Sequence, residues 1–202
     1  MRKLHENMSR EAFENGYFYT AELRRFAKSL GIAVSNLKKD EIELHIKARL
    51  FGYAGELPVA VPNRRDDTSR DLLRLDSRVV NYVDDRTTKD FLLAQLERKH
   101  GPLPYKSGQW YWLNDWRKEQ IRNNRKITYR ELIDRLYELM TTKGRLPRIP
   151  STRFNNFITD FLADPENEGA TRQEAMDEWE RLKKMPVQKN YQEYKSFRNE
   201  TA

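Results

Sequence analysis

The chain has 202 residues, 34% charged and 38% hydrophobic, with a formal net charge of +7, and its 9 Phe, 10 Tyr and 4 Trp exclude a disordered polymer despite a mean hydropathy of −0.95. The absence of cysteine rules out disulfides and thiolate metal sites, and no stretch approaches the ~18 apolar residues that a membrane span needs. The opening Met-Arg-Lys-Leu-His-Glu lacks the apolar core of a signal peptide, so the expectation is a cytoplasmic protein with no membrane partner.

Charge is unevenly placed: +3 over residues 1–52, +6 over 53–150 and −2 over 151–202. A basic body with an acidic end suits a polyanionic partner, although a surface charge of this size also serves plain solubility.

Leu23, Phe26, Ala27 and Leu30 fall at helical spacing, with Thr20 placed to cap the helix and Gly31 to end it. A second helix is marked by Ile42, Ile46 and Leu50. Lys38 and Lys39 stand at its start, where free backbone N–H groups and the positive end of the helix dipole favour an anion such as phosphate.

The residues Glu22-Leu23, Leu30-Gly31-Ile32, Ser35, Lys38-Lys39 and Glu41-Ile42 together make this segment, about residues 17–50, resemble a SAP domain. The chain departs from that pattern at Asn36 and Leu37, where the family often has Gly; Asn also tolerates a left-handed turn. The resemblance implies a helix-extended-helix module that binds DNA, double-stranded for preference, through the phosphate backbone. On this chain the implied contacts are Tyr19, Thr20, Arg24, Arg25, Lys28, Lys38 and Lys39. Helix-extended-helix modules that bind proteins, as LEM domains do, share the same outline.

Residues 53–70, with two prolines, a glycine and no helical period, read as a linker. An extended piece over residues 75–83 then leads to a helix opened near Thr87 or Thr88 and closed at His100, Gly101 and Pro102. Trp112, Leu113 and Trp116 share one helical face suited to a small core. The cations that follow, Arg117, Lys118, Arg122, Arg125 and Lys126, form a candidate secondary basic patch opposed only by Glu119.

Thr128 with Glu131 forms a capping box, and Thr171 with Glu174 repeats it 43 positions later. Leu132, Ile133, Leu136 and Leu139 align with Ala175, Met176, Trp179 and Leu182, as a weakly repeated helix-turn-helix unit or a coincidence of two well-capped helices. Tyr191, Tyr194 and Phe197 suit the docking of a last helix. The whole arrangement resembles an uncharacterised class of bacterial SAP-domain proteins, a resemblance that implies architecture and no mechanism.

Signals for catalysis are missing. His5, His45 and His100 lack ligand spacing, no phosphate-binding glycine loop or nucleophile elbow occurs, and the Asp66-Asp67 and Asp84-Asp85 pairs read as caps or solvated turns. The expectation is a mainly α, non-enzymatic protein without cofactor or metal. Its expected parts are a module over residues 1–52, a linker over 53–70 and a helical domain over 71–202 that subdivides near 145–150. DNA binding in the cytoplasm or at the nucleoid is the first functional reading; the alternative is a protein-interaction adaptor that uses the C-terminal helices.

Overall fold

The computed structural model of the chain describes residues 3–62 and 69–201. Its described part is mainly helical, with no strand and a single isolated antiparallel bridge between Arg78 and Thr128. No helix among the described residues is long and apolar enough to cross a membrane.

The chain divides into two units, one comprising the described residues up to Pro58 together with those from Arg148 on, the other running from Val59 to Pro147. The sequential reading takes residues 71–202 as one helical domain that subdivides near 145–150; here the described residues from Arg148 on belong with the N-terminal segment. The reason is in the packing: the last three helices build their core against the N-terminal segment, with the Tyr17 ring edge-on to Trp179 at 5.1 Å. Residues 53–70 do not behave as a free linker throughout. Pro58 accepts a hydrogen bond from the His45 ring and Val61 is buried, while Arg64, Arg65, Asp66 and Asp67 lie outside the described residues.

In the first unit, α1 (Arg10–Glu14) is opened by Ser9, whose hydroxyl accepts from the Ala12 N–H. Then come α2 (Thr20–Ser29) and α3 (Lys39–Phe51), which pack on each other through Leu23, Ala27, Ile42 and Ile46, all fully buried. Leu23, Ile42 and Ile46 each contribute about 1.5–3 kcal/mol by burial, and the Ala27 methyl less. The N-cap of α2 is Tyr19, not Thr20: the Tyr19 N–H donates to the Glu22 carboxylate at 2.7 Å. Gly31 adopts φ 74°, its N–H donates to the Lys28 carbonyl and the Ile32 N–H to the Ala27 carbonyl, a Schellman ending that only a left-handed residue permits. Asn36 takes φ 61° in the connector, so the residue that departs from the family pattern still makes the left-handed turn.

The second unit holds α4 (Arg86–His100), α5 (Gln109–Arg122) and α6 (Tyr129–Thr141), with α6 packed on both others around Leu92, Leu96, Leu113, Leu132 and Leu136. The cap of α4 is Asp85, which accepts from the Thr88 N–H, and Asp84 pairs with Lys89. The extended piece before it lies along the start of α6, with Val79 N–H on the Ile127 carbonyl and Tyr129 N–H on the Ser77 carbonyl. Trp112 and Trp116 pack partly buried against this core.

Completing the first unit, α7 (Arg153–Ala163), α8 (Arg172–Leu182) and α9 (Tyr191–Thr201) enclose Phe157, Phe161, Trp179, Leu182 and Tyr194. Both capping boxes form as read, opening α6 and α8. Ala175, Trp179 and Leu182 are buried on α8 as Leu132, Leu136 and Leu139 are on α6.

Candidate nucleic-acid interface

The seven residues expected at the interface separate into distinct environments. Arg24, on the exposed side of α2, reaches across the connector and donates to the carbonyls of Val34 and Leu37, each at 3.2 Å. Its guanidinium therefore clamps the turn that delivers Lys38, besides carrying charge. Arg25, Lys28 and Thr20 are exposed on α2, and Tyr19 is 48% exposed at its cap.

Lys38 is the N-cap of α3, where its N–H donates to the Glu41 carboxylate at 2.8 Å. The first turn also carries Asp40. Two carboxylates thus already answer the helix dipole, so the anion affinity expected from the helix start rests on the side-chain cations instead.

Lys39 turns inward. Its ammonium lies 4.3 Å above the Tyr17 ring and is half-buried, and burial lowers its pKa while nearby Glu43 opposes that shift. One helical turn on, the buried Glu43 carboxylate pairs with Arg153 of α7 at 2.5 Å. Burial pushes the Glu43 pKa up against the pull of Arg153 and Lys39.

Tyr17, Glu43, Arg153, Trp179 and Lys183 were not among the expected site residues. The alternation of Tyr17 and Tyr19 about a buried Phe18 was the legible signal for the first, and Glu43 stands one turn after Lys39 on α3; Arg153, Trp179 and Lys183 lie more than a hundred residues away, where no local pattern exists.

The secondary patch does not form as expected. Arg117 lies one turn after Leu113 on the inward face of α5 and is fully buried, its guanidinium 4.6 Å from the Tyr82 ring and bonded to the Asn114 side chain. Lys118 is buried as well. Arg122 donates to the Val59 carbonyl and Arg125 to Gln120 and Glu131, leaving Arg125 and Lys126 as the exposed cations of the five.

No family model, curated protein or solved structure matches the chain. Among the described residues no group of three His, Asp or Glu side chains is placed to hold a metal ion.

Proposed function

We propose that this is a non-catalytic DNA-binding protein, in which a SAP-like helix-extended-helix module formed by α2, the connector and α3 contacts the phosphate backbone with little sequence preference. The observation that supports the reading is the Arg24 clamp on Val34 and Leu37, which ties the residue before Lys38 to α2. Arg25, Lys28 and Lys38 are then the main phosphate contacts, and Lys39 contributes charge from its seat over Tyr17. The matching capping boxes of α6 and α8 fit a repeated helix-turn-helix unit serving as scaffold.

The test is fluorescence anisotropy of the full chain with a labelled duplex across a salt series. The expected result is a linear loss of log affinity with log salt, and a slope reduced by about 2 to 3 in the triple variant Arg25→Ala, Lys28→Ala, Lys38→Ala. Unchanged binding by that variant, with its circular dichroism intact, would sink the proposed face.

A protein-interaction adaptor is the second reading, favoured by the engagement of Arg24 and Lys39 within the fold. It predicts no duplex binding at low salt and a stoichiometric protein partner whose recovery is insensitive to nuclease.

A further inference from the structure

Beside the start of α3 the first unit has a groove of about 310 Å³ walled by Tyr17, Tyr19, Phe154, Met176 and Trp179. This volume is at the lower end of the range for ligand sites, ~300–1,000 Å³, and suits one planar ring system better than a length of peptide. The Tyr19 ring is exposed, yet its backbone is fixed at the α2 cap by Glu22, so an aromatic face is held in place before any ligand arrives. Tyr17 stands edge-on to it at 5.4 Å, and the Lys183 ammonium lies 5.9 Å from its centroid.

Asp177, Glu180 and Lys183 line the groove along the end of α8, with Lys183 and Glu180 joined as an ion pair at 2.7 Å. Lys183 follows the helix end, whereas Asp177, which also lines the groove, stands six residues earlier, about 9 Å along the axis. Lys39, over Tyr17, adds a second cation near the Tyr end. A nucleotide fits this arrangement with its ring packed on Tyr19, its phosphate sharing the Lys183 ammonium with Glu180, and its edge at Gln173 and Asp177. A carboxylate there accepts from an exocyclic amino group, as cytosine N4 offers and thymine does not. A duplex keeps its bases stacked and cannot supply that ring.

We propose that this groove receives an unpaired nucleobase, so that the preferred ligand is single-stranded or locally unpaired DNA with amino-bearing bases. The inference rests on the backbone-binding reading above and changes the preferred form of the ligand from duplex to open strand.

The experiment is anisotropy of the full chain at fixed salt with labelled oligo-dC, oligo-dT and a duplex. The probes are tested against the wild type, Tyr19→Ala, which keeps the backbone cap, and the exposed-site variant Asp177→Asn, with circular dichroism confirming each fold. Expected are tighter binding of oligo-dC than of duplex, a loss of about 5-fold or more on oligo-dC for Tyr19→Ala that exceeds its loss on duplex, and a smaller preference for oligo-dC over oligo-dT in Asp177→Asn. Salt-dependent duplex binding with no advantage for either single strand overturns the base site and leaves the backbone reading standing. An unaltered Tyr19→Ala affinity for oligo-dC also overturns it. Absence of binding to all three probes at low salt overturns both and turns the groove over to a protein partner.

Discussion

Arg153 on α7 and Glu43 on α3, 110 residues apart in the chain, meet as an ion pair at 2.5 Å with the Glu43 side chain only 11% exposed. The pair ties the helix bearing the proposed phosphate contacts to the C-terminal helices. Desolvating a carboxylate is costly, and the Arg153 guanidinium offsets that cost only while it stays in place.

Arg153→Ala should therefore lower stability by about 2–4 kcal/mol at neutral pH, read from urea unfolding. The sign of its pH dependence follows from the raised Glu43 pKa, which makes the folded state hold the proton more tightly than the unfolded chain. Lowering the pH through that raised pKa protonates Glu43 and relieves the buried charge. The deficit of the variant should shrink as pH falls from neutral through that raised pKa; a constant deficit would contradict the assignment.

The N-terminal segment depends on distant helices for part of its core. A fragment ending at Pro58 loses Trp179 from Tyr17, Arg153 from Glu43 and the Pro186 carbonyl that accepts from Asn15. Such a fragment should melt broadly and without cooperativity by circular dichroism. Residues 1–58 joined to 148–202 by a flexible linker should melt cooperatively. A sharp transition for the short fragment would show that α2 and α3 are self-sufficient.

Acid should weaken the α7–α9 region through Asp164. Its carboxylate accepts from Lys195 Nζ at 2.8 Å, from the Glu166 N–H at 3.0 Å and from the Tyr191 hydroxyl at 2.8 Å, contacts that hold its pKa down to about 2. In the unfolded chain it returns to the ordinary value near 3.8. A depressed carboxylate pKa stabilises the fold above the unfolded value, and the contribution is lost as pH falls from about 4 to about 2. Asp164→Asn should be less thermostable than the wild type at pH 7, with the gap in Tm closing across that acid window.

Arg117 is a cation whose role is burial and not binding. Arg117→Ala removes a fully buried side chain from beside Tyr82 and Asn114 and should cost about 3 kcal/mol in urea unfolding. The folded fraction should bind duplex with the wild-type salt slope. A reduced slope would return Arg117 to the interface.

The features legible in the sequence lie within one or two helical turns. The Schellman ending at Gly31 and the capping boxes at Thr128 and Thr171 are contacts between residues at most five positions apart, and local hydrogen bonding is written in local spacing. Even the inward turn of Arg117 follows from its place one turn after Leu113; as one of five neighbouring cations it looked like surface charge. Long-range packing alone brings α7, α8 and α9 to the N-terminal helices, seats Lys39 on Tyr17, and joins Tyr17, Tyr19 and Trp179 in one groove. Apolar burial is non-directional: Trp179 can satisfy it against any apolar face of matching shape, and which face wins depends on packing among residues more than a hundred positions apart.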